Sequence, residues 1–276
     1  MRCRPRRPWR WSGGTRTTSA GSSRRPPPGK GEPPAVGRDQ SWTVWVDASP
    51  GPPWEKVARE EALLGAVAAG RLGPVLRLWT SGPSLVLGRL EARRLEQAGY
   101  ALAQMGPLPV LVRPSGGTAV PHGPDDLSVT LCYPCDQVPA APEMGYRRLL
   151  AGLVRALEQA LGLQAGPGWA PGSFCDGRFN LVVGGRKVAG TAQAQRRGAV
   201  LVHATVMVGG EGRSRLRQVA AFYRQVGAHG PWDEGRVASL SELAGRALSP
   251  QDLIEPLVDA FLAGWGSAGA SRTHDE

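Results

Sequence analysis

Two short stretches concentrate the side chains that could do chemistry. In VVGGRKVAGTAQ (Val182–Gln193), Lys187 follows a Gly-Gly pair and precedes a run of small residues. Two apolar runs joined by two glycines predict a tight hairpin, because such turns need positive φ at their central positions. Strict alternation along the returning strand would place Lys187, Ala189 and Thr191 on one face, with Val188, Gly190 and Ala192 on the other. A lysine with small neighbours is a cation with room beside it. In VRPSGGTAVPHG (Val112–Gly123), a strand ends at Arg113 and runs into Gly116-Gly117, flanked by Ser115 and Thr118. Consecutive glycines let backbone N–H groups converge on an anion, and Arg113 adds a fork of donors suited to carboxylate or phosphate. Taken singly, the lysine reads as a solvated charge on a hairpin and the glycine pair as a plain loop. The loop is neither a Walker motif nor GxGxxG. Cys132 and Cys135 form a lone CxxC without a second pair or nearby histidines, so they read as structural. Asp125 and Asp126 read as turn residues.

Taken together and in order, RPSGGTAV, RKVAGTAQ and VHATVMV resemble the catalytic domain of the lipoate–protein ligase and octanoyltransferase family, a distant relation of the biotin–protein ligases. The matching positions are Arg113, Ser115, Gly116, Gly117, Ala119, Val120 and His122, then Lys187, Ala189, Gly190, Ala192 and Gln193, then His203 and Thr205. The departures are Val112, Thr118 and Ala204, where the family pattern has arginine, glycine and glycine. The resemblance covers roughly residues 42–263. It implies that Lys187 contacts the carboxyl end of an acyl group. Gly190, Thr191 and Ala192 would leave space for the chain, and the loop from Arg113 through Ala119, with His122 and His203, would hold the rest of the donor.

The resemblance implies enzymatic attachment of a lipoyl or octanoyl group to a lysine of a lipoyl-domain protein, of the 2-oxoacid dehydrogenase E2 or glycine-cleavage H type. Two routes are open, and ligation is the expected one. In this first route ATP and Mg²⁺ form an acyl-adenylate, Cys175 is incidental, and Asp176 is a candidate metal ligand. In the second, an octanoyl group passes from a carrier through a Cys175 thioester. Cys175 lies in a loop twelve positions before Lys187, and a nearby cation would favour its thiolate. A third reading is a non-catalytic module that binds lipoate. None calls for a bound prosthetic group. The length after the last core strand predicts a stand-alone catalytic domain, with any accessory domain supplied separately.

The elements that must position these residues follow from hydrophobic period. WTVWVD, VLRLWTS, SLVLG, LPVLVR, LSVTLCY and AVLVHATVMV read as strands. WEKVAREEALLGAVAAG and GYRRLLAGLVRALEQALGL carry apolar stripes at helical spacing, as do three shorter segments near the C-terminus. PSGGTAVPHGPDD and QAGPGWAPGSFCDGR read as loops. Strands dominate the middle and βαβ alternation is absent. The expected class is therefore α+β, a mainly antiparallel or mixed sheet flanked by helices.

The net charge of +10 over 276 residues would suggest nucleic acid, but residues 1–40 hold ten Arg or Lys and two acids. This Arg-, Pro- and Gly-rich segment reads as a disordered extension, the remainder is nearly neutral, and nucleic acid and membrane are not expected partners. There is no apolar run long enough to span a bilayer. Without a secretory h-region, the expected location is the cytoplasm with reduced thiols. The polar residues 264–276 read as a frayed tail.

Overall fold

The computed structural model describes residues 41–49, 51–135, 142–265 and 271–274. The expectation for residues 1–40 lies outside them. The architecture is α+β, as the sequence pattern predicts. An eight-stranded mixed sheet runs in the order β11-β1-β2-β6-β10-β9-β8-β7. Its strands are β1 (Thr43–Asp47), β2 (Val75–Trp79), β6 (Asp126–Cys135), β7 (Ala165–Gly168), β8 (Asn180–Val183), β9 (Arg186–Arg196), β10 (Gly198–Met207) and β11 (Ser271–His274). A second sheet, ordered β4-β3-β5, comprises β3 (Ser84–Gly88), β4 (Val110–Arg113) and β5 (Val120–His122).

Alternation along the long strands divides the large sheet into an oily face and a working face. Leu127, Val129 and Leu131 of β6 and Val200, Val202 and Val206 of β10 point into one core, covered by α3 (Pro142–Leu161) and α6 (Gln251–Trp265). These two helices pack closely: a Cβ on Gly152 would collide with the Phe261 ring. On the opposite face the register lines up two rows across the strands. One is Arg77–Thr130–His203–Ala192 and the next is Trp79–Ser128–Thr205–Gly190. Helix α1 (Pro53–Ala68), started by a proline in its first turn, lies over this face. Leu63, Leu64 and Val67 cover its apolar end, which leaves Val57 and Glu60 above the polar rows. Helices α2 (Arg89–Gln97) and α4 (Gly212–Gln225) belong to a second core around the small sheet. Helix α5 (Leu240–Ala244) opens with a full capping box, Ser239 with Glu242.

Some local expectations change in three dimensions. The strands β2 and β3, adjacent in sequence, fall in different sheets. The loop after Arg113 contains the short strand β5, and the stretch before Cys175 contains β7. Ser271–His274, within the tail read as frayed, pairs in parallel with β1, whose outer edge would otherwise leave backbone groups unpaired.

Candidate active site

The Gly-Gly hairpin forms as its residues dictate, with φ of 55° at Gly184 and 76° at Gly185. The lysine, however, does not sit where strict alternation puts it. Leu181 pairs with Ala189 while Val182 pairs with Lys187, so β9 carries one extra residue, a β-bulge at Val188. The bulge leaves Val188 and Ala189 both in the oily core and turns Lys187 to the opposite face. A Cβ on Gly190 would lie 3.1 Å from the Lys187 ammonium. Lys187 therefore shares its face with Gly190 and Ala192, not with Ala189 and Thr191. Thr191 spends its hydroxyl on Phe179 O at 2.7 Å.

Lys187 is completely buried. Its ammonium donates to Phe174 O at 2.6 Å and Cys175 O at 3.1 Å, and sits 4.6 Å from the Phe174 ring centroid. Burial pushes its pKa down to about 8, against the pull of Cys175 and Asp176, which raise it. Cys175 is half-buried and takes a φ of 44°, a left-handed conformation unusual for a side-chain-bearing residue. Its sulfur receives the Thr118 N–H at 3.3 Å and lies 3.9 Å from Arg113 Nη2. Burial works to raise its pKa, but the Arg113 and Lys187 charges and the Thr118 donor outweigh it, so the thiol is held below its ordinary range.

Arg113 organises the loop rather than pointing outward. Its guanidinium donates to Val86 O at 2.6 Å, Gly116 O at 2.8 Å and Thr118 O at 2.9 Å, and Nε donates to Ser115 Oγ at 3.1 Å. Gly117, at φ 91°, is required twice over. An L residue disfavours that conformation, and a Cβ there would lie 2.8 Å from both Arg113 Nη2 and Cys175 Sγ. Ala119 is fully buried, and its N–H donates to the Tyr223 hydroxyl at 3.1 Å.

Ser115 Oγ lies 2.8 Å from His203 Nε2, and His203 Nδ1 lies 2.7 Å from Glu60 Oε2. An ionised carboxylate only accepts, so Nδ1–H donates to Glu60. Burial alone would raise Glu60, but His203 and Arg77 keep it ionised. Arg77 in turn reaches Asp47, which also pairs with Lys56 and Arg59. Sequence reasoning missed Glu60; its place on α1 above His203 is a tertiary fact. His122 lies 3.1 Å from Thr205 Oγ1, and burial followed by the nearby Arg113 charge pushes its pKa to about 3, so it is neutral.

Glu60, Arg113, His122, Cys175 and His203 line one cavity, with Gly190, Ala192 and Thr205 of the sheet and with Val57 and Trp79. Lys187, Ser115 and Thr118 stand outside the lining.

Asp176 does not fit the metal role considered for it. One carboxylate oxygen already accepts from Ala170 N, Gly177 N and Asn180 Nδ2, at 2.9, 2.9 and 2.7 Å, stapling the loop that carries Cys175. No group of three His, Cys, Asp or Glu side chains able to hold a metal occurs among the described residues. Asp126, expected in a turn, begins β6 and is buried against Arg215 at 2.7 Å. Cys132 is a buried thiol outside any disulfide. No helix of the described residues is long and apolar enough to cross a membrane.

Comparison with known proteins gives a consistent result. The family model of the lipoyl protein ligase A/B catalytic domain matches residues 52–262. The octanoyl-GcvH:protein N-octanoyltransferase of Kyrpidia tusciae is 34% identical, over 84% of this chain and 91% of that one. Its counterpart in Geobacillus kaustophilus is 33% identical, over 80% and 81%. Among solved structures, a lipoate-protein ligase A bound with ATP superposes with a TM-score of 0.60 at 22% identity, covering 86% of this chain and 89% of that one. The bi-partite lipoate protein ligase of Thermoplasma acidophilum gives 0.55 at 21%, covering 85% and 86%.

Proposed function

Since the chain belongs to the lipoyl protein ligase A/B catalytic-domain family, we propose that this acyl-transferring enzyme moves an octanoyl group between lipoyl-domain proteins through a Cys175 thioester. The observation that carries the reading is the setting of Cys175: a sulfur held by the Thr118 N–H, with two cations close enough to favour thiolate. The relatives at 34% and 33% identity bear the name of octanoyltransferases whose donor is an octanoylated glycine-cleavage H protein. For this chain the donor is accordingly an octanoyl-lysine on an H-type protein, and the acceptor is the matching lysine of an E2-type lipoyl domain.

The first half-reaction begins with attack of the Cys175 thiolate on the amide carbonyl of the donor. A C–S bond forms, and the oxyanion develops beside the Thr118 N–H and the Lys187 ammonium. Collapse breaks the C–N bond, and Lys187 gives its proton to the departing lysine amine. A pKa of about 8 suits that task and its reverse. In the second half the acceptor amine attacks the thioester, Lys187 takes back a proton, and the thiolate leaves. One amide is exchanged for another, so no net energy input is needed. The octanoyl chain lies across the strands from Gly190 towards Trp79, three inter-strand spacings or ~14 Å, more than an extended eight-carbon chain needs.

ATP-dependent ligation through an acyl-adenylate, the first route weighed from sequence, has less support. It draws on fold likeness to ATP-bound ligases, whereas the sequence relatives are transferases. The donor set around Asp176 does not fit a resident Mg²⁺, and no step is assigned to one.

The test is the intact mass of an E2 lipoyl domain after incubation with this protein and octanoylated H protein, without ATP. One octanoyl group should appear on the acceptor. Without acceptor, it should appear on the enzyme, and Cys175→Ala should lose both. Transfer that survives in Cys175→Ala, or that needs Mg-ATP and a free acid, would return the reading to ligation. Acyl binding with no modification of any acceptor would favour a non-catalytic module.

A further inference from the structure

A second cavity lies between α2, the end of α4 and residues 228–232, lined separately from the acyl cavity. Leu95, Ala98 and Val226 form an apolar floor, and Tyr100 and Trp232 stand as walls. Trp232 lies flat because residue 230 is glycine; a Cβ there would sit 2.5 Å from the indole. The indole stacks on Tyr223, with centroids 6.0 Å apart and planes at 26°.

The polar groups are distributed unevenly. Glu91, the acid in the lining, has the Tyr223 hydroxyl at 3.2 Å. Arg94 and His229 are exposed at the rim, and neither makes an ion pair among the described residues. An apolar trough with an exposed arginine at its edge complements a molecule with an alkyl tail and a single anionic head.

The cavity also touches both loops that hold Cys175. The Tyr223 hydroxyl accepts the Ala119 N–H at 3.1 Å, and the preceding residue, Thr118, donates to the Cys175 sulfur at 3.3 Å. On the other side, Asp233 N donates to Gly172 O at 3.0 Å, three residues before Cys175. A ligand that pins Tyr223 and Trp232 therefore pins the surroundings of the thiolate.

We propose that this groove is an effector site for a medium-chain monocarboxylate, which seats its tail on Leu95, Ala98 and Val226, its head by Arg94 and His229, and lowers the reactivity of Cys175. The site stands whether or not the acyl-transfer reading holds.

Sodium octanoate is the probe. Calorimetry uses the full chain with Cys175 capped by an S-octyl group, which fills the first cavity. One equivalent should bind, and Ala98→Phe, which fills the groove, should weaken binding tenfold or more. The paired surface change Arg94→Gln with His229→Gln should do the same, and serves if Ala98→Phe does not fold. On uncapped protein, octanoate should slow alkylation of Cys175 by iodoacetamide about fivefold or more, and this slowing should vanish in the variants. No binding to the capped protein, or binding and slowing indifferent to all three substitutions, would overturn the proposal.

Discussion

At the residue scale, the site is built from a buried cation and a sulfur that share their stabilisation. Lys187 costs stability for the sake of chemistry: its pKa is lowered from 10.5 to about 8 chiefly by burial. Between about pH 8 and 10.5 the unfolded chain holds a proton on this lysine that the folded chain does not, so stability rises with pH there. The full contribution is roughly 3 kcal/mol. Lys187→Met should remove that rise from urea-denaturation curves taken across the window, while abolishing transfer. At pH 7 the removed burial cost outweighs or matches the ~1–3 kcal/mol lost at the carbonyls of Phe174 and Cys175 left without their donor, so the variant should equal the wild type or exceed it by up to about 2 kcal/mol. Glu60 makes a separate prediction. Glu60→Gln keeps an acceptor for the His203 N–H, whereas Glu60→Ala leaves that N–H and the Nη1 donor of Arg77 without their partner, while Arg77 keeps Asp47. The alanine variant should lose ~1–3 kcal/mol in the same measurement, and the glutamine variant distinctly less.

At the element scale, two glycines do work that can be separated. Gly190 has no positive φ, and a Cβ there meets only the Lys187 ammonium and its neighbouring methylene, at 3.1 and 3.2 Å. Gly190→Ala should therefore leave the melting temperature within a few degrees of wild type and still cut the rate of acyl transfer, on the order of 10²-fold for a misplacement of about an ångström. Gly117→Ala meets both a forbidden backbone and a collision with Arg113 and Cys175. It should lose stability, ~1–3 kcal/mol, as well as rate. What the sequence revealed of these elements follows the same division. The helices, the long strands and the Gly-Gly turn were readable because local period and turn chemistry dictate them. Lys187 and the Arg113 loop stood out through ordered motifs, and Cys175 only through its place in the loop before the hairpin. The bulge at Val188 was not, because it arises from how β8 and β9 register, which no single strand encodes. Glu60 was hidden for a related reason: on α1 it is one more acid in a charged helix until the sheet brings His203 beneath it. β5 and β7 are too short to show a period, and their neighbours across the sheet define them.

At the scale of the whole molecule, the charge and the chemistry occupy different parts of the chain. The site is enclosed between the large sheet, the small sheet and α1, and its ionic groups compensate one another: Glu60 and Asp47 against Arg77 and Lys56. The net charge of +10 comes mostly from residues 1–40, with ten bases and two acids; the remaining residues carry 23 bases and 21 acids. A contribution of that segment to function is expected to be electrostatic. Removing residues 1–40 should therefore leave the transfer rate and the thermal midpoint unchanged. Any weak affinity for DNA at low salt should fall together with its salt dependence, because each phosphate neutralised by Arg or Lys contributes close to one unit to the slope of log K against log salt. The two measurements separate the roles. Lost transfer after truncation would place the segment in acceptor recognition. Salt-dependent binding that persists would move the cationic surface onto the folded domain, against its near-neutral balance.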